Sequence, residues 1–169
     1  MRAGHRLTIH SLSTYQKLFF PVANPADIPL SLPSFIFVVF KKTTAMTIQE
    51  IATSYCELAR QMKWEEIIDT LYADEATCQE PEHAAQRGVP VLVTGKAAIK
   101  EKGTAHRARI ETLHGRTLEG PVVAATYFAV ALNSDVTFKN GPRVQLSEIG
   151  VFHVLDGKIT SEQFFYDFR

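Results

Sequence analysis

Glu80 stands directly before Pro81, at the end of a short run, Ala76–Gln79, that reads as a strand after an acidic turn, Ala73-Asp74-Glu75. A carboxylate at a strand end flanked by apolar residues is one way to place a single acid in an apolar pocket. Burial there raises its pKa and suits it to exchange a proton near neutral pH. Further along, alternation puts Glu148, Gly150, Phe152 and Val154 on one side of a candidate strand, and Glu162, Phe164 and Tyr166 on one side of the next. Carboxylates plus a tyrosine (Tyr55 or Tyr166) make an acid–base set in which the phenol donates to a developing oxyanion. Each residue also has a plain reading. Glu80 can be solvated or ion-paired, Glu148 can pair with a neighbour such as Arg143, and Tyr55 can be a core aromatic.

The elements that would position this set begin at Met46. Thr47-Ile48-Gln49-Glu50 has the form of a capping box, with Thr47 as N-cap. Ile48, Ile51, Ala52, Tyr55, Leu58, Ala59 and Met62 then recur at three- and four-residue steps, as one buried helix face. Trp64, Ile67, Ile68 and Leu71 predict a second helix, and Gly95–Ile110 a third, with Ala98, Ile99 and His106 inward and Gly103 weakening it. After Ile110 the period becomes two. Strands are predicted over Glu111–Leu118, Val122–Leu132, Asp135–Phe138, Val144–Leu155 and Lys158–Phe168, with Asn140-Gly141 and Asp156-Gly157 as hairpin turns. Helices followed by a run of antiparallel strands define an α+β domain over 46–169.

Residues 1–45 differ. They hold four of the eight prolines and no sustained period. Ile28–Phe40 is apolar but shorter than the roughly 20 residues a membrane span needs. The segment reads as a weakly ordered extension, with Met46 as an alternative start; a secretion signal or an added docking arm are the other readings.

The chain of 169 residues suits one domain, and 18 basic residues balance 18 acidic ones. Without a basic stripe, neither nucleic acid nor an anionic membrane is an expected partner. Cys56 and Cys78 have no metal-ligand spacing and fit two buried thiols in a reducing, cytoplasmic setting. His83 three residues after Glu80 is a weak metal pair, so no metal and no cofactor are expected.

Taken together, the paired helices, YADEATCQEP, the Gly95/Ala98/Ile99 helix start and EIGVFHVLDGKITSEQFFYD resemble the SnoaL-like branch of the nuclear transport factor 2-like superfamily. The resemblance covers about Met46–Arg169. It implies a cone: a curved antiparallel sheet wrapped by three helices around a mostly apolar pocket. It also implies a small apolar ligand and a homodimer through the outer sheet face, where His114 and His153 would lie. Members include isomerases, cyclases, dehydratases, epoxide hydrolases and non-catalytic binders, so fold does not settle function. Glu80-Pro81 matches the Asp-Pro of ketosteroid isomerase-like members, whose acid is the general base. Tyr55 lies near the oxyanion-hole tyrosine, whereas Gly150 falls where a protonated aspartate is expected. The resemblance thus points to Glu80, Glu148 and Tyr55 as catalytic candidates. Glu162, Phe152, Phe164, Tyr166, His106 and Trp64 are the ligand-contact candidates. A cofactor-free acid–base enzyme and a non-catalytic binding or adaptor protein both remain open.

Overall fold

Thr47 opens the first helix as its spacing predicts. Its hydroxyl accepts from the Glu50 N–H at 3.3 Å, and Glu50 Oε2 accepts from the Thr47 N–H at 2.8 Å. In the computed structural model, which describes residues 45–167, this cap starts α1 (Ile48–Arg60). Ile51, Ala52, Tyr55, Cys56 and Ala59 form its buried face. α2 (Trp64–Leu71) buries Ile67, Ile68 and Leu71. The chain then runs through β1 (Tyr72–Gln79), a 3-10 turn at Glu82–Arg87, β2 (Leu92–Thr94) and α3 (Lys96–Ala108). Four long strands follow: β3 (Ile110–Ala124), β4 (Tyr127–Phe138), β5 (Arg143–Leu155) and β6 (Lys158–Phe165). The sheet order is β2-β1-β6-β5-β4-β3, antiparallel except where β1 joins β6. This is the expected α+β architecture. Residues 1–44, where the extension is expected, lie outside the described residues.

Several boundaries differ from expectation. Asp74 and Glu75 do not form a turn; they sit inside β1, exposed where its register against β6 shifts between Tyr72 and Thr77. The expected break between Leu118 and Val122 is a bulge at which β3 bends and continues. The reversal comes two residues past β3's last pair of hydrophobics, around Ala125, which takes φ 51°. The polar run Asn133-Ser134-Asp135 does not interrupt β4, because pairing on both sides overrides local preference. Asp156-Gly157 is the tight turn expected, both residues having positive φ (50° and 73°). Asn140-Gly141 instead lies in a longer connection.

Register across the sheet decides which side chains meet inside. One inner row runs Cys78, Glu162, Phe152, Phe128, Val123. A second joins Glu148 to Leu132 and Leu118, and a third joins Leu146 to Ser134 and Arg116. The helices cover this face, and the core contains Ile51, Tyr55, Ile67, Leu71, Tyr72, Ile99, Phe128, Phe152 and Ile159. Among the described residues no helix is long and apolar enough to cross a membrane.

Candidate active site

Glu162 reaches the interior because β6 carries a bulge. His153 pairs Ser161 while Val154 pairs Ile159, so Thr160 is the extra residue and both Ile159 and Glu162 point inward. Glu162 is only 6% exposed. It accepts a hydrogen bond from the Tyr72 hydroxyl and another from the Cys78 thiol. Burial raises its pKa, and those two bonds pull the other way. Tyr72, desolvated and facing Glu162, is held well above the ordinary phenol range and remains a donor.

Glu80 follows β1 and is ion-paired with Lys102 of α3. Lys102 Nζ also lies 2.7 Å from Cys78 Sγ and 5.3 Å from the centroid of the Phe164 ring. Burial works to lower the Lys102 pKa, but Cys78 and Glu80 outweigh it and the ammonium is held charged. Tyr166 shares a hydrogen bond with Glu80, and burial followed by the Glu80 charge raises its phenol. The carboxylate expected to stand alone in a greasy setting is therefore matched by a cation. Cys78 departs from expectation too: it is buried beside a lysine and a carboxylate rather than among apolar groups, and its thiol pKa is pushed up chiefly by burial.

Glu148 is the carboxylate left unengaged. It lies half-buried on the inner face of β5, and no hydrogen bond or close ion pair holds it among the described residues. Arg143, a neighbour considered for it, instead takes Asp135 in a two-pronged pair at 2.8 and 2.6 Å. Burial, reinforced by the Glu80 charge, lifts Glu148 to about 7, while Arg116 and Lys102 hold it down. Arg116 Nε donates to Ser134 Oγ at 2.9 Å, and its guanidinium lies 5.2 Å from the centroid of the Trp64 ring. His106, at the end of α3, packs edge-on to Phe138 at 6.3 Å. Its imidazole is held below its usual range first by desolvation, with the Glu80 charge opposing and Arg109, Arg116 and Lys102 adding to the fall.

The heart of the interior is filled. Phe128 and Phe152 stack at 4.6 Å, Tyr55 meets Phe152 at 4.5 Å, and Phe164 stands edge-on to Phe152 at 6.3 Å. Gly150 does not open space beside Glu148. A Cβ there would lie 2.9 Å from Phe152 and 3.2 Å from Phe164, so the missing side chain admits the rings. Tyr55 is part of this plug, its hydroxyl held well above the ordinary range by burial and by the charges of Glu162 and Glu148. Open space lies further out. A groove of about 620 Å³ runs between the start of α2 and the end of α3 and start of β3, with Trp64 and Arg116 in its wall.

Of the residues singled out in the sequence, Glu80, Glu148, Glu162, Tyr55, Phe152, Phe164 and Tyr166 converge on the inner face, and Trp64 lies at the groove; His106, expected to face inward, is instead exposed near the end of α3, a helix whose buried residue is Ile99. Lys102, Arg116 and Tyr72 were missed. Ile99, Lys102 and His106 lie three and four residues apart on one helix face, so the signal for Lys102 was present. Among the described residues no cluster of His, Cys, Asp and Glu could hold a metal ion.

A curved sheet wrapped by three helices over an aromatic core, with buried carboxylates at its edge, defines the class of small α+β cone proteins. The family model for a SnoaL-like domain matches residues 46–166, and the chain belongs to that family. Among solved structures it is similar to a Mesorhizobium loti protein provisionally described as a SnoaL-like polyketide cyclase (carbohydrate phosphatase). That match has 35% identity and a TM-score of 0.66, covering 72% of this chain and all (100%) of that one. More distant likenesses show the fold alone. TerC, co-crystallised with polyporic acid, is 18% identical (TM-score 0.57; 68% of this chain, 87% of that one). A Catenulispora acidiphila protein of ketosteroid isomerase-like fold, in complex with trimethylamine, is 20% identical (TM-score 0.55; 72% and 88%). No curated protein sequence matches the chain.

Proposed function

We propose that this SnoaL-like protein performs cofactor-free proton transfer on a small, largely apolar molecule, of the isomerase or cyclase type, with Glu148 as the general acid–base. The observation that carries the reading is Glu148 itself: an inward carboxylate with no hydrogen-bond or ion-pair partner among the described residues, lifted to about 7. A group titrating there can both take and give a proton at neutral pH. The Glu80–Lys102 pair and Arg116 set the field around it. The filled interior around Gly150 favours a ligand held toward the groove rather than at the cone's centre. It also keeps a second reading in play, in which the same site holds an apolar molecule without converting it.

The test is proton exchange. The protein is incubated in D2O with a panel of cyclic ketones and enones, and loss of the α-proton is followed by NMR. Glu148→Gln should slow enzyme-dependent exchange at least ~100-fold, within the range general acid–base catalysis contributes. Exchange indifferent to Glu148, or no exchange alongside saturable binding, supports the binding reading instead. The apolar outer sheet face, where Ile149 and Phe165 are 50% and 49% exposed, supports a homodimer through that face.

A further inference from the structure

Three cations line the groove beside Trp64, and they are not equivalent. Lys63 pairs with Glu66 at 3.4 Å, and Arg107 approaches Glu65 at 3.8 Å. Arg116 has no carboxylate within 4.0 Å among the described residues. It is nonetheless fixed in place. Ser134, itself 8% exposed, accepts from its Nε, and the guanidinium lies over the Trp64 ring. Both terminal nitrogens remain without a protein acceptor among the described residues, on a side chain whose position is already determined. A planar fork of that kind matches the two oxygens of a carboxylate or the oxygen of an acidic enol.

Apolar surface lies alongside. Trp64, Ile110 and Leu113 line the same groove, whose volume of about 620 Å³ suits a small organic molecule. Arg116 lies between the groove and Glu148: the inner row Arg116–Ser134–Leu146 is next to the row Leu118–Leu132–Glu148, and the Arg116 charge acts on that carboxylate. We infer that the groove is the substrate-recognition subsite, and that it selects a small organic anion. The apolar ring of that ligand packs on Trp64, and its acidic oxygen is held by the free fork of Arg116. The inference deepens the reading of Glu148 above and rests on it only for which end of the ligand reacts.

Trp64 is the single tryptophan of the chain, so its fluorescence reports the groove alone. Phenylacetate and its neutral counterpart phenylacetamide serve as probes, titrated against the full chain. Phenylacetate should quench Trp64 saturably, with affinity at least about tenfold above the amide, as expected for a charged hydrogen-bonded pair. Arg116→Gln should abolish that preference, with a far-UV circular dichroism spectrum matching the parent's showing that the variant is folded. Arg116→Lys should recover only part of it, since a lysine keeps the charge and loses the fork. Glu148→Gln should keep the preference for the acid even if proton exchange is lost, so failure of the proton-transfer reading is seen separately. Equal affinity for acid and amide, a preference that survives Arg116→Gln, or no saturable quenching by either probe overturns the inference.

Discussion

Lys102 of α3 closes on Glu80 at the end of β1, and both side chains are almost out of water, 12% and 10% exposed. A buried pair of this kind is costly to break from one side, because the remaining charge has no compensation. Lys102→Met should therefore destabilise the fold by about 3–5 kcal/mol at pH 7 in urea unfolding. Glu80→Gln in the same chain should return part of that loss. A Lys102→Met protein as stable as the parent would show the pair to be open to solvent.

Glu148 gives a pH dependence whose sign is unusual for a carboxylate. Its folded-state pKa, about 7, lies above the ordinary 4.5, through burial and Glu80 opposed by Arg116 and Lys102, with Glu162 adding a smaller push upward. The folded state therefore binds this proton more tightly than the unfolded chain does. The stability linked to it is complete below about pH 4.5 and is lost as pH rises through about 7. Glu148→Gln should match the parent in stability near pH 4.5 and exceed it at pH 8 by about 2–3 kcal/mol. Carbon NMR of the Glu148 carboxyl should show its pKa rise further in Arg116→Gln and fall in Glu80→Gln. A carboxyl titrating in the ordinary range in the parent removes the basis for both expectations.

The helices and the end of the sheet were legible because local signals agreed with tertiary ones. Thr47 and Glu50 cap, Ile51 to Ala59 face inward, and Asp156-Gly157 turns where positive φ is needed. The failures share a cause. Asn133-Ser134-Asp135 looks like a turn in isolation, yet pairing on both sides holds β4 through it, while Gly120-Pro121 is taken up as an unpaired bulge after which β3 pairs again at Val122. For the site, alternation grouped Glu148 with Phe152 and Glu162 with Phe164, and the family resemblance turned those faces inward. It could not show that Lys102 would meet Glu80, because the two lie on different elements and only packing brings them together. Nor could it show that Gly150 would be occupied by rings from Phe152 and Phe164.

Gly150 offers a direct check of that packing. Adding one methyl group at this position should force Phe152 or Phe164 to move, since the contacts would be 2.9 and 3.2 Å. Overpacking of this size costs about 1–3 kcal/mol, so Gly150→Ala should lower the unfolding midpoint measurably. Phe164→Leu in the same chain should relieve part of the loss, because it vacates the 3.2 Å contact and lets the nearer Phe152 ring shift. An unchanged midpoint in Gly150→Ala would mean that the interior is open there.

Tyr72 and Glu162 test the inner end of the site. Glu162 is 6% exposed and accepts from the Tyr72 hydroxyl, so removing that donor leaves a buried carboxylate less well satisfied. Tyr72→Phe removes a hydrogen bond to a charged group, which contributes about 1.5–3 kcal/mol. Burial already raises the Glu162 pKa, and the Tyr72 bond opposes that rise, so the variant should move it further up. A folded-state pKa that rises costs stability only where Glu162 would otherwise be ionised. The Tyr72→Phe deficit should accordingly shrink as pH falls toward the unfolded carboxyl value and be largest in mildly alkaline buffer. Denaturant unfolding across that range measures it, with Glu162→Gln as the reference in which the pH dependence disappears. A deficit equally large at low and high pH would mean that Tyr72 acts through packing rather than through its bond to the carboxylate.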